Sequence, residues 1–453
     1  MPSRNRKRQH RNPDHIRRTH VPAPADAEIE QRLNDLVKPA VFAELDYYRQ
    51  LGCRSRLLSL PVMVALVLTL IWRRVPGVCA LQRMLARERI LWTEPTHVSQ
   101  PALSERFLTF PAVLFERVLY RVLARLPERQ CARSRPQDPL LAPLPSRFTG
   151  GCYALDGTTL EALFRKLKSL QEQAKAPLAG TVIAVVDLLS HLPAKLIYHD
   201  DPATNDIVLA PKLLEWLPRE SLIVCDMGYF AFEFFDALTT AGSWCVTRMR
   251  SNASYQVKQV LLQRKHVRDQ IIQLGIYAHS GQCKHLMRLV EVYVNGQWQR
   301  YVTNVLDPSR LSVVEVVACY DARWKLETAF LLIKRLLDLA YVWVGSRNGV
   351  ELQVYATFLF YAILLDLCDD VAETLQLPMQ QISLEMVYRG LYHYVTALNQ
   401  GDYAGDAPSY LAREAKGLGI VKRKRHLKGL TVTEQIRLAL LAPAEPLTNG
   451  PDP

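Results

Sequence analysis

The sequence has no Cys-x-x-Cys pair and no visible internal repeat. The missing repeat excludes a solenoid or blade architecture. The missing Cys pairs exclude a zinc ribbon, and the nine cysteines form an odd set: Cys53, Cys79, Cys131, Cys152, Cys225, Cys245, Cys283, Cys319 and Cys368. Several lie in apolar runs such as Leu222-Ile223-Val224-Cys225, as reduced core residues of a cytosolic protein do. A membrane span is also missing from the early part of the chain. Leu57 to Trp72 is strongly apolar, but it is shorter than the roughly 20 residues a spanning helix needs and carries Ser59, Pro61 and Thr69. It is too far from the start for a signal peptide and reads as a buried helix.

Acidic residues are the scarce charge. Lys+Arg total 56 against 44 Asp+Glu, a formal +12 with a pI near 9.2. Such an excess attracts polyanions through the long-range field and counterion release, which suits a nucleic-acid partner and equally a basic soluble protein without one. Hydrophobic residues make up 49% and charged residues 22%, so the bulk of the chain folds. At 453 residues it is too long for one core and calls for two to four structural units.

The pattern changes along the chain. Residues 1–25, with the run Arg4-Asn5-Arg6-Lys7-Arg8-Gln9-His10-Arg11, form a basic tail that cannot build a core. Residues 26–145 lack strand alternation and read as a helical N-terminal region suited to DNA binding, with Ser99 as a helix cap and Pro101 in the first turn. The basic segment Arg129 to Arg135 leads into a Pro-rich linker. Residues 146–375 read as an α/β domain. Its β-type runs are Cys152–Leu155, Gly180–Leu189, Ala194–Tyr198, Ser221–Cys225 and Trp244–Thr247. Residues 251–304 form a β-rich insertion, with a hairpin turning at Asn295-Gly296. A long helix follows from Val313 to Leu337, then an apolar helix from Val350 to Val371. Residues 376–453 are helical and end in the basic stretch Val421 to Lys428.

The chemistry-bearing residues sit at element ends. Asp156 follows a short apolar strand and precedes Gly157; Asp226 follows Leu222–Cys225 and precedes Met227-Gly228. Two strand-end acids on adjacent strands can share a divalent cation, although strand ends followed by Gly are also ordinary turns. Tyr320, Arg323, Glu327 and Lys334 are spaced by three, four and seven residues. At about 100° per residue they occupy one helical stripe about 60° wide. The apolar residues Leu326, Phe330, Ile333, Leu336 and Leu337 centre on another side. An acid flanked by cations suits a phosphodiester: carboxylates bind metal while cations hold phosphate oxygens. An exposed Arg–Glu pair with a solvated Lys is the plainer alternative. His199-Asp200-Asp201, followed by Pro202, reads as a solvated loop.

The segment Tyr320-Asp321-Ala322-Arg323-Trp324-Lys325-Leu326-Glu327, continuing to Lys334, resembles the Y-(2)-R-(3)-E-(6)-K signature of bacterial DDE transposases of the insertion-sequence-four type. Leu155-Asp156-Gly157-Thr158-Thr159 and Cys225-Asp226-Met227-Gly228-Tyr229-Phe230 resemble the family's two aspartate motifs, and Tyr301–Leu306 resembles the strand before the signature. The resemblance implies an RNase H-like fold with Asp156, Asp226 and Glu327 binding two Mg²⁺ or Mn²⁺. It implies end cleavage and strand transfer without a covalent enzyme–DNA intermediate, with Tyr320, Arg323 and Lys334 on phosphates. It also implies that Trp298 stacks on a flipped base, although packing of the hairpin would equally use a Trp. The expected partners are transposon-end and target DNA and a second protomer, with no membrane, in the bacterial cytoplasm and nucleoid. A catalytically inactive, domesticated DNA-binding protein and a simple nuclease on the same fold are the alternatives.

Overall fold

The computed structural model describes residues 27–54, 56–159, 180–199, 206–275, 281–336, 346–422 and 430–443; the side chains of 158, 159, 206, 324–332 and 334–336 lie outside that description. The chain divides into two compact units, Met1–Tyr120 with Leu332–Tyr361, and Arg121–Leu331 with Ala362–Pro453.

The first unit is helical in its described residues. Helix Leu60–Trp72 starts with Pro61 in its first turn, where no intrahelical N–H is needed, and buries eleven of its thirteen residues. The apolar run read from the sequence is therefore a core helix. Ser99 caps Gln100–Thr109, its hydroxyl accepting from Ala102 N at 3.4 Å. A π-helical turn, Leu33–Val37, precedes Pro39, and Lys38 N donates to Leu33 O, five residues back. Proline lacks an N–H and crowds the carbonyl four residues before it, so a widened turn there relieves the clash. Asn348 ties the unit together: its Oδ1 accepts from Ala112 N (3.0 Å) and its Nδ2 donates to Leu108 O (3.1 Å) and Phe110 O (2.6 Å).

The second unit is organised by a nine-stranded sheet in the order β3-β2-β1-β4-β5-β9-β8-β7-β6. The strands are β1 (Gly151–Thr159), β2 (Thr181–Asp187), β3 (Pro193–His199), β4 (Ser221–Val224), β5 (Trp244–Arg248), β6 (Tyr255–Arg264), β7 (Val267–Leu274), β8 (Met287–Val294) and β9 (Gln297–Thr303). β1, β4 and β5 run parallel, and β1-β2-β3 run antiparallel. β9 pairs antiparallel with β5, so the β-rich segment continues the same sheet. The β8–β9 hairpin turns at Asn295 and Gly296, both with positive φ (51° and 80°), as a two-residue turn requires. The β6–β7 hairpin was not foreseen from sequence.

The sheet has two differently covered faces. Leu155, Ile183, Val185, Ile223, Cys225 and Cys245 pack against Phe234, Phe235 and Leu238 of helix Phe232–Thr240. Each large apolar side chain fully buried in this way contributes about 1.5–3 kcal/mol, so this core outweighs any single surface ion pair. Alternation sends Ala154, Asp156, Val224 and Val246 to the opposite face. That face receives helix Val313–Leu336, which buries Val316, Cys319, Tyr320 and Arg323. The helix begins in a capping box. Ser312 Oγ accepts from Glu315 N (3.4 Å), and Glu315 Oε2 accepts from Ser312 N (2.8 Å).

The basic segment Arg129 to Arg135 is neutralised within this unit. Arg129 holds Asp366 through two 3.0 Å bonds, Arg133 reaches Asp366 and Asp369 at 2.7 Å and Asp370 at 2.6 Å, and Arg135 pairs with Asp369. Helix Arg347–Leu375, which carries these acids, is long and apolar enough to cross a membrane, but 94% of its apolar window is buried inside the protein.

Candidate active site

Asp156 and Asp226 come from neighbouring strands. In the parallel β1–β4 ladder Ala154 is paired with Val224. Each aspartate stands two residues farther on, so the two are at equivalent positions and share a face. One expectation is corrected here. Asp156 is not at a strand end: β1 continues to Thr159 along β2, where Asp156 is opposite Ala184. β4 ends at Val224, which leaves the β4 side of β1 open at Asp156. The strand end therefore belongs to Asp226, and its termination exposes both acids to a common space.

Local contacts fix Asp226. Its Oδ1 accepts from Gly228 N at 2.9 Å, and its carbonyl accepts from Thr247 Oγ1 at 3.1 Å. A Cβ on Gly228 would lie 2.9 Å from that same Oδ1. Glycine is thus what lets the turn fold back on the carboxylate. Arg250 Nη2 holds the turn from outside by donating to Met227 O (2.9 Å).

The helix supplies the charge opposite the acids. Arg323 is 2% exposed, and its Nη1 lies 3.7 Å from Asp156 Oδ1. Tyr320, one turn earlier, is also buried, with its ring centroid 5.4 Å from that of Tyr301. Burial pushes the Tyr320 hydroxyl up, against the opposing pull of Arg323 and Arg248. Burial likewise pushes Tyr301 up to about 12, with Asp321 acting in the same direction. Both phenols are neutral near pH 7 and can donate a hydrogen bond. Cys225, beside Asp226, is raised well above the usual thiol range by burial and is no nucleophile.

The sequence reading placed the polar stripe beside the core-facing side of this helix. The structure instead buries Tyr320 and Arg323 against the sheet. Glu327 is four residues beyond Arg323 in the same helix, about 6 Å along the axis and rotated by about 40°. Its side chain, and that of Lys334, lie outside the described residues. Asp200 and Asp201 also lie outside them. Among the described residues no three His, Cys, Asp or Glu side chains are grouped closely enough to hold a metal. Asp156 and Asp226 nevertheless fit a divalent cation. They are hard oxygen donors on one face of adjacent strands, and such a cation takes further oxygen ligands besides these two.

Trp298 is not brought into this cluster. It is directly opposite Tyr293 in the β8–β9 ladder, while its neighbours Gln299 and Tyr301 alternate in direction. Tyr301 faces the helix; Trp298 shares the other side of the sheet with Val302 of the core cluster. Its ring is 5.6 Å from Tyr293 and 4.8 Å from the Arg268 guanidinium.

The structure adds residues that sequence reading missed. Arg248 ends β5 and lies over the rings of Tyr301 (5.9 Å) and Tyr320 (5.4 Å). Its Nη2 donates to Gln299 Oε1 at 2.9 Å. The Arg248-Met249-Arg250 run after an expected strand was the available signal, but only strand order puts it beside Asp226.

Residues 148–363 match the family model of the transposase DDE domain. A DDE domain implies an RNase H-like core; in the matched segment the sheet includes β3-β2-β1-β4-β5, antiparallel on one side of β1 and parallel on the other. The chain is also similar to a probable transposase for insertion sequence element IS5377 from Geobacillus stearothermophilus, 26% identical over 190 residues, 41% of this chain and 47% of that protein. It is 28% identical over 151 residues to the putative transposase y4zB of Sinorhizobium fredii, 31% of this chain and 41% of that protein. The chain thus spans less than half the length of each of these relatives. The matched segment spans Asp156, Asp226 and Glu327.

Proposed function

We propose that this protein is a DNA transposase that binds the ends of its insertion sequence and carries out metal-dependent cleavage and strand transfer. The observation that carries the reading is the shared register of Asp156 and Asp226 beneath Arg323, within a segment matching the DDE domain. The Y-(2)-R-(3)-E-(6)-K spacing from Tyr320 to Lys334 supports assignment to the insertion-sequence-four type.

In this reading Asp156, Asp226 and Glu327 hold two Mg²⁺ or Mn²⁺ ions. Bound there, such ions lower the pKa of a water or DNA 3′-hydroxyl and neutralise the leaving oxygen. The protein's own residues do the positioning. The Gly228 amide keeps one Asp226 oxygen engaged. Arg323, held in a buried slot, presents its guanidinium beside Asp156, where it takes a non-bridging phosphate oxygen of the scissile strand. Tyr320 donates its neutral hydroxyl to an adjacent phosphate, and Lys334 extends the cationic stripe. DNA and a second protomer are the proposed partners, with the helical region 26–145 as the end-binding part; Trp298, on the other side of the sheet from the acids, is left to packing the hairpin against Tyr293 and Arg268.

The test is incubation of the full-length protein with its own element ends and Mg²⁺ or Mn²⁺. Cleavage at the element boundary is expected. Tight end binding without cleavage under either metal would replace this reading with a catalytically inactive DNA-binding protein.

A further inference from the structure

Most buried arginines in the second unit are matched to carboxylates. Arg288, fully buried, gives Nε and Nη2 to Asp269 and Nη1 to Leu311 O. Arg248 is different. Among the described residues it forms no ion pair, and its Nε, like that of Arg264, is buried without a hydrogen-bond partner. Its Nη2 donates to Gln299 Oε1 at 2.9 Å. That same oxygen accepts from Tyr301 Oη at 2.7 Å.

The choice of acceptor matters. A carboxylate here would orient the guanidinium and also cancel its charge. The Gln299 amide oxygen orients it and leaves the charge whole. Register explains the meeting: Arg248 is opposite Tyr301 across β5–β9, and Gln299 is two residues from Tyr301 on the same face. The ring of Tyr320 completes the seat from the helix, one turn before Arg323. A cation oriented in this way without a carboxylate partner among the described residues, and only partly buried, is arranged to receive an anion.

We propose that Arg248 grips a phosphate of the nucleic-acid strand lying over Asp156 and Asp226, and that Gln299 is its positioning residue. This rests on the DNA reading above. Arg323, already shared with Asp156, and Arg248, which pairs with no acid among the described residues, then contact successive parts of the same strand from the helix and from β5.

The test uses the full-length protein, a short fluorescein-labelled duplex of mixed sequence, and a supercoiled plasmid carrying the sequences that flank the gene. Arg248→Gln and Gln299→Glu are each expected to lower the slope of log affinity against log salt by about 0.9, the loss of one phosphate contact. Gln299→Leu is expected to keep most of the slope but lower the nicking rate at saturating DNA by about tenfold, because charge remains while aim is lost. A purely structural Gln299 would instead lower the melting temperature in both variants and leave the slope alone. A wild-type slope in folded Gln299→Glu and Arg248→Gln overturns the proposal. Should either fold poorly, Arg248→Lys decides: it keeps the charge without Nε, and a wild-type nicking rate there refutes the role. Wild-type protein that neither binds nor nicks DNA would refute the parent reading; wild-type activity with unchanged variant slopes refutes this one alone.

Discussion

Arg323 Nη1 lies 3.7 Å from Asp156 Oδ1, with the guanidinium almost fully buried and the carboxylate partly open to solvent. The pair joins the long helix to the first strand of the sheet at the point where β1 loses its β4 neighbour. A buried cation at that position holds Asp156 in place, and in the proposed reading it also contacts a phosphate. Those two duties can be separated by mutation.

Arg323→Ala removes both. End binding should weaken and its salt slope fall by about one phosphate contact, measured by fluorescence anisotropy over a salt series. Arg323→Lys should recover the slope but not the cleavage rate, since an ammonium cannot reproduce the planar fork. An unchanged slope in Arg323→Ala would restrict Arg323 to holding the fold.

Glu327→Gln keeps the shape of the side chain and removes its charge. Cleavage should drop to background while end binding survives, read by plasmid nicking and gel shift on the same preparation. Equal loss of both would make Glu327 a structural residue.

Arg288 and Asp269 form a bidentate pair across β7 and β8, at 2.7 Å for both bonds and with side-chain exposures of 0% and 3%. Asp269→Ala leaves an uncompensated charge in the core and should destabilise the protein by about 3–5 kcal/mol in urea denaturation. Replacing both residues by apolar ones of similar volume should cost much less. A single variant within about 1 kcal/mol of wild type would show that water reaches the site.

Glu315 gives an acid-side prediction. Burial pushes its carboxyl up, but hydrogen bonds from Arg147 and from the Ser312 amide and hydroxyl outweigh that and hold it below the usual range. Because the folded pKa is the lower one, its contribution is full above the ordinary carboxylate range. It is lost as pH falls through the folded value. Glu315→Gln should therefore destabilise by about 1–2 kcal/mol near neutral pH and by much less near pH 3. Parallel pH dependence in variant and wild type would disprove the linkage.

The sequence alone determined a good deal. Strand-forming apolar runs, the Asn295-Gly296 turn, the Ser99 cap and the two long helices follow from local propensity and period, and the structure places elements within a few residues of each. The three acids and the Tyr320–Lys334 spacing were legible because helical and strand periods are local properties of the chain. What tertiary structure decided is which of these meet. Strand order places β5 beside β4 and β9 beside β5, and so brings Arg248, Gln299 and Tyr301 to a helix more than ten residues later in the chain. It also put Trp298 on the opposite side of the sheet, which alternation within one hairpin cannot reveal without knowing which face the helix covers. Asp156 looked like a strand end because Gly157 follows it. In the fold the end belongs to the neighbouring strand, and that mismatch in length is what opens the site.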